Sequence, residues 1–279
     1  MYTPLVSDGQ VKSLKRLTSR HTLTVKKSRL RGIVARMERN FFHFSQGFVT
    51  ALLLALTGAP AVSQVSDSAA HGIAMYGDPA LPPDFVSLPH VNPDAPKGGR
   101  IVFGESGSFD SLNPFILKGR APAGLSALTV ETLMGRSYDE PFALYGLLAE
   151  SITTDAARTF AEFTLREAAR FSDGAPVTVE DVRWSFETLG TLGNPRYHTA
   201  WAKIGSVDIT GPRSIRFTFN TTDRELPLIL GLRPILQKAQ WQGKAFEDST
   251  LEAPIGSGPY VVGGFETGRY VSYKKNPDW

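Results

Sequence analysis

The residues that look reactive are few and poorly matched. Gly104-Glu105-Ser106-Gly107-Ser108 begins as a nucleophile elbow does, a serine raised on a tight turn. Ser108 stands where the closing glycine belongs, however, and no histidine is near to take a proton from Ser106. A Gly/Ser-rich loop after a strand accounts for the run. Gly243-Lys244 in WQGKAF lacks the G-x-x-x-x-G-K-[ST] frame that cradles phosphates. His71, His90 and His198 are scattered, without the spacing that holds a metal. Glu180 and Asp181 are adjacent, so on a helix they point to different faces and do not form an acid/base pair. No catalytic centre, metal or cofactor is expected from local spacing. A secreted hydrolase that gathers Ser106 and distant residues into one site stays open as an alternative, as does an interaction protein without catalysis.

The elements that must position any site are easier to read. Ser172-Asp173-Gly174 is turn chemistry. Thr178 follows as a helix N-cap, with Glu180 and Asp181 in the first turn, where carboxylates meet the positive end of the dipole. Val179, Val182, Phe186 and Leu189 share one face, and Gly190 reads as the C-terminal stop. RIVFGES from Arg100 and TFAEFTLRE from Thr159 read as strands, and LSALTVETLMG as a helix from Leu125 ending near Gly135. Ser206–Asn220 reads as a hairpin through Thr-Gly-Pro-Arg, and residues 256–276 as another. The apolar, proline-interrupted 225–240 is helical or mixed, and the Pro- and Gly-rich 71–99 is an irregular strap over a core. This irregular interleaving, with hairpins, predicts a mixed α/β, α+β fold rather than a doubly wound parallel sheet.

Charge is concentrated at the front. Residues 1–61 hold 10 Lys and Arg against 2 Asp and Glu, while residues 62–279 hold 20 against 25. The body is therefore mildly acidic and offers no basic, aromatic-laced surface for nucleic acid. Within the leader, Arg36 and Arg39 precede an apolar run from Phe48 to Leu56 and small residues at Ala59 and Ala61, the order of a secretory signal peptide. The run is short for a membrane span. Cleavage is expected after Ala61 or after Ala70, and Met37 offers an internal start that makes residues 1–36 an over-extension. Cysteine is absent, which excludes disulfides, thiolate zinc and a cysteine-borne lipid anchor. An exported, periplasmic, unanchored protein is the expectation.

Three separated motifs, LREAARFSDGAPVTVEDVRWSFETL, then Gly256-Ser257-Gly258-Pro259-Tyr260, then Asn276-Pro277-Asp278-Trp279, in this order resemble the family 5 extracellular solute-binding proteins of ABC importers. The stretch 71–104 looks like the subgroup for peptide and microcin-C-type uptake, and Ser111-Leu112-Asn113-Pro114-Phe115 sits at a turn typical of the family. The resemblance implies a type II periplasmic-binding-protein-like fold in which two lobes close on a ligand by a hinge. It further implies a leader over 1–70, first-lobe segments at 71–128 and 207–279, and a smaller subdomain at 129–206. Family members continue past the last motif, so a second lobe is expected to be missing. The implied ligand is a peptide or peptide-like solute, and the implied partner an inner-membrane ABC permease, with the receptor a monomer. Lys118, Gly119 and Arg120 match a loop whose backbone lies beside bound peptide in oligopeptide binders, and Ser257 falls where the family brings polar atoms to the cleft. Tyr197, His198 and Trp201 are candidates for an amphipathic wall, although such aromatics also serve as core.

Overall fold

The computed structural model describes residues 67–279. The expected signal peptide, the internal start and cleavage after Ala61 lie outside these residues. Strands β1 (Gly72–Ala74), β2 (Met134–Arg136) and β3 (Ala143–Gly146) form a three-stranded antiparallel sheet in the order β1-β3-β2. Strands β4 (Ala149–Thr153), β5 (Phe160–Leu165), β6 (Ile204–Ile209) and β7 (Ser214–Phe219) form a second, in the order β4-β5-β7-β6. Strands β8 (Tyr260–Glu266) and β9 (Tyr270–Lys275) pair as a separate hairpin. Among the described residues four short or medium helices connect them: α1 (Leu125–Thr129), α2 (Val179–Thr191), α3 (His198–Trp201) and α4 (Leu226–Gly231). The mixed α/β architecture and both hairpins appear as the sequence predicts.

Alternation explains the larger sheet. Phe163 and Leu165 on β5, and Ile215 and Phe217 on β7, are buried in one cluster, whereas Glu162 and Arg216 pair across the other face at 2.7 Å. Helix α2 lays the predicted face on this sheet. Val182, Phe186 and Leu189 are fully buried, and the Phe186 ring lies 4.3 Å from that of Phe217. Each such side chain contributes ~1.5–3 kcal/mol. The Thr178 hydroxyl accepts the Asp181 N–H at 3.1 Å while the Asp181 carboxylate accepts the Thr178 N–H at 3.0 Å, a reciprocal capping box. Asp181 also accepts the Lys238 N–H at 2.9 Å, so one carboxylate both starts the helix and fastens the 235–241 segment to it.

Several expectations change. Helix α2 runs through Gly190 to Thr191, and Gly190 is where Trp201 packs against it. The helix expected to reach Gly135 ends at Thr129, because the Glu131 N–H donates to Ser257 Oγ (3.2 Å) and its carbonyl accepts the Ile235 N–H (3.0 Å). Tertiary partners there take the backbone groups that a longer helix needs. Residues 100–103 form no strand: no ladder partner is present among the described residues, and Ile101, Val102 and Phe103 stay about three-quarters exposed at 75%, 75% and 74%. The strap 71–99 contains β1, which its sequence did not reveal. Strand β6 runs unbroken across the expected 206/207 division and shares a sheet with β5, so that division cuts a continuous element.

Candidate functional site

An open groove lies beside residues 113–127. Its scaffold is a turn stapled by its own side chains. The Asn113 N–H donates to Ser111 Oγ and the Phe115 N–H to Asn113 Oδ1, both at 3.1 Å, while the Asn113 amide donates to the Phe246 carbonyl at 3.0 Å. The loop that follows returns on itself: Asp110 Oδ1 accepts the Arg120 N–H at 2.6 Å, and the Arg120 carbonyl accepts the Asp110 N–H at 3.0 Å. Gly119 lies between, at φ +80°, in the left-handed region that a side chain would strain. Alongside runs a cavity of about 380 Å³, bordered by Gly119, Ala121, Pro122, the start of α1 and Arg196. Among the described residues, Gly119 and Ala121 make no hydrogen bond with either backbone N–H or C=O. Exposed, unpaired main chain beside small side chains is what an extended peptide needs in order to add hydrogen bonds of its own.

Charge at the groove comes from arginine. Arg196 follows Pro195 in a short 3-10 turn capped by Asn194, whose side chain accepts the Arg196 N–H at 3.2 Å. The Asn194 N–H donates to the Phe115 carbonyl at 2.7 Å, which brings this turn against the 111–115 turn. The Arg196 guanidinium donates to the Tyr197 hydroxyl at 2.7 Å and stacks 4.7 Å from its ring centre. Tyr197 is braced in turn by Arg233, whose Nη2 donates to the Tyr197 carbonyl at 3.2 Å and whose guanidinium lies 4.9 Å from the ring. Arg233 is buried, and that burial lowers its pKa to about 10.

The residues named from the sequence separate into groups. Lys118 is exposed and paired with Asp248 at 2.7 Å, a bond that raises its pKa. Arg120 points its guanidinium to the Ser106 carbonyl at 3.4 Å. Gly119 borders the groove, and Tyr197 reaches it through Arg196, which the sequence reading passed over although it sits beside Tyr197. His198 donates from Nε2 to the Gly193 carbonyl at 2.9 Å, closing the end of α2. Trp201 packs on Gly190 at the edge of the main core. Ser257 is 2% exposed, and its hydroxyl is occupied by the Glu131 N–H. It meets neither Lys118 nor Arg120, so the three named polar positions do not share one cavity. No carboxylate or histidine hydrogen-bonds the Ser106 hydroxyl among the described residues.

The Gly-Ser-Gly-Pro-Tyr loop instead knits the molecule together. The Gly258 N–H donates to the Thr129 carbonyl at 2.9 Å, and the Gly256 carbonyl accepts the Ser172 N–H at 2.8 Å. Beside it the half-buried Glu131 carboxylate accepts the Trp279 indole N–H at 2.8 Å. Burial raises the pKa of this carboxyl, and hydrogen bonds from Trp279 and Ser257 oppose that rise only in part. A raised folded-state carboxyl pKa favours folding below the unfolded value and weakens it as pH climbs through the folded value. Glu131→Gln removes the ionisation. Its melting midpoint relative to the parent should therefore become more positive between pH 4 and 7, and a difference that shrinks with rising pH contradicts this assignment.

The chain is similar to known proteins in sequence and in fold. Residues 143–279 match the model of the bacterial extracellular solute-binding proteins, family 5, middle region. A binding protein of Brucella melitensis biotype 1 is 43% identical over 254 residues, 87% of this chain and 41% of the relative. The peptidoglycan-binding protein YepA of Agrobacterium fabrum is 44% identical over 218 residues, 75% of this chain and 35% of the relative. The chain thus spans about two fifths or less of the length of these relatives. Among solved structures, the periplasmic oligopeptide-binding protein of an oligopeptide ABC transporter from Thermotoga maritima superposes with a TM-score of 0.52 at 29% identity, over 62% of this chain and 32% of its own. NikA from Brucella suis, solved with Fe(III)-EDTA, gives 0.52 at 22% identity over 60% and 34%, a likeness of fold alone. The family is one of substrate binding rather than catalysis, and through residues 143–279 the chain belongs to the bacterial extracellular solute-binding proteins, family 5.

Proposed function

We propose that this chain carries one wall of a peptide-binding cleft in the receptor of an ABC importer, exported to the periplasm, where it delivers its solute to an inner-membrane permease. The observation that carries this reading is the unpaired backbone of Gly119 and Ala121, two residues that border an open groove. A peptide lying along it adds main-chain hydrogen bonds, and Arg196 receives a carboxylate at one end. The peptidoglycan-binding name of the Agrobacterium relative and the oligopeptide-binding name of the Thermotoga structure support the same class of ligand. Within this reading Gly119 and Arg196 border the cleft, Lys118 and Arg120 flank Gly119 on the same loop, and Tyr197 holds Arg196 in place. His198, Trp201 and Ser257 act in the scaffold, at the end of α2, on Gly190 and on Glu131 respectively. Residues 71–128 and the C-terminal hairpin belong to the first lobe. The subdomain that begins near residue 129 extends through β7, since β6 and β7 share its sheet.

The test is a titration of the purified chain with trialanine, mixed pentapeptides and peptidoglycan stem peptides, followed by the melting midpoint. The same titration is made on a chimera that joins residues 67–279 to the remaining part of the Agrobacterium relative. A ligand at 100 times its Kd stabilises the native state by ~2.7 kcal/mol, a rise of roughly 5–10 °C for a domain of this size. Arg196→Ala should reduce the rise for peptides with a free carboxylate. No rise with any peptide in either protein overturns the proposal.

A further inference from the structure

A second cavity, of about 290 Å³, shares Asn113 and Pro114 with the groove, so the Ser111–Pro114 turn forms a wall between the two. Its lining combines a rigid apolar floor with a charged mouth. Leu112, Phe115 and Leu236 are buried at 1%, 2% and 5% exposure, and Trp241 closes one side. Trp241 is fixed by Phe246, ring centres 4.7 Å apart, and Phe246 by Trp184 at 6.0 Å. The surrounding loop is closed by the Gln240 side chain, which donates to the Ala253 carbonyl and accepts the Ile255 N–H, both at 2.9 Å. The walls are therefore preformed.

At the mouth, Lys244 pairs with Glu252 at 2.6 Å, and Asp248 is held by Lys118 at 2.7 Å. These pairs are about half to two-thirds exposed, so each exchanges readily with charges of a ligand. Thr250 Oγ1 accepts the Glu252 N–H at 3.0 Å, and its own O–H has no acceptor among the described residues. Both signs of charge and a spare donor thus surround one apolar floor. The volume is at the lower edge of the roughly 300–1,000 Å³ usual for small-molecule sites, enough for one residue and too little for a peptide.

We propose that this cavity binds a single free amino acid with a large apolar side chain. The carboxylate meets Lys244 and the Thr250 hydroxyl, the ammonium meets Asp248 and Glu252, and the side chain rests against Trp241 and Phe115. The inference does not depend on the peptide reading, because its ligand is different and the two cavities have only Asn113 and Pro114 in common. Isothermal titration of the purified chain with L-phenylalanine, phenethylamine, phenylacetate and L-alanine tests it. L-Phenylalanine should bind saturably at one equivalent, and the three analogues, each lacking one charge or the ring, at least about tenfold more weakly. Ala245→Trp fills the cavity from an exposed position and should abolish binding. Lys244→Met, also at an exposed position, should weaken L-phenylalanine at least about tenfold while leaving phenethylamine unchanged. No saturable binding of L-phenylalanine, binding insensitive to both variants, or analogues bound as tightly as the amino acid would overturn the proposal.

Discussion

Gly256→Ala should lower the melting midpoint by ~10 °C or more, or prevent folding altogether. A methyl group at this position lies 1.7 Å from the Thr129 carbonyl oxygen and 2.6 Å from its carbon. Both are backbone atoms, so no rotamer change relieves the overlap. Separating the segments breaks the Gly258–Thr129 and Ser172–Gly256 hydrogen bonds and pulls Ser257 away from Glu131. Each buried bond broken without a substitute costs ~1–3 kcal/mol, against a total stability of about 5–15. Thermal unfolding followed by circular dichroism measures the effect, and a midpoint within about 2 °C of the parent contradicts the close packing described. The glycine of this motif thus exists for a close approach of two backbones, and ligand contact is not needed to explain it.

Gly190→Ala is the second large effect, and its sign is the informative part. In an exposed helix interior this change stabilises by ~1 kcal/mol. Here the added carbon falls 2.2 Å from Trp201 Cγ and 2.5 Å from its Cβ, near the root of a side chain that has little freedom to swing aside. Overpacking of this kind costs ~1–3 kcal/mol beyond the helical gain. Trp201→Ala removes the obstacle at the expense of its own packing, so in that background Gly190→Ala should become neutral or stabilising. A double-mutant cycle by urea denaturation reads the coupling directly. Additivity of the two changes, or a stabilised single mutant, contradicts the account of how α2 and α3 meet.

These two glycines also mark where the sequence was legible and where it was not. The buried face of α2 and the presence of both hairpins were readable because local periodicity and turn chemistry agree with the tertiary fold. Gly190 was expected as a helix stop, since pattern alone does not distinguish a terminator from a contact with a tryptophan eleven positions on. The helix from Leu125 looked longer than it is, because its last turns yield their backbone groups to Ser257 and Ile235, both more than a hundred residues away. RIVFG has the β-branched and aromatic residues of a strand, yet a strand exists only with a partner. Gly119, which borders the groove, was named through motif resemblance together with Lys118 and Arg120, whose side chains turn to Asp248 and Ser106. Arg196 was not, because its place at the groove depends on the Asn194–Phe115 hydrogen bond, which joins segments about eighty residues apart. Ser257 was readable as part of a motif, while its burial followed only from the neighbours that enclose it.

The central claim is that free backbone at Gly119 and Ala121 receives a peptide main chain. The most direct measurement is amide hydrogen exchange, resolved to single residues, during the peptide titration already described. Peptide should slow exchange at Gly119 and Ala121 and leave the amide of Gly258, already bonded to Thr129, unchanged. Peptide that binds while both of those amides exchange as in the free protein contradicts the account.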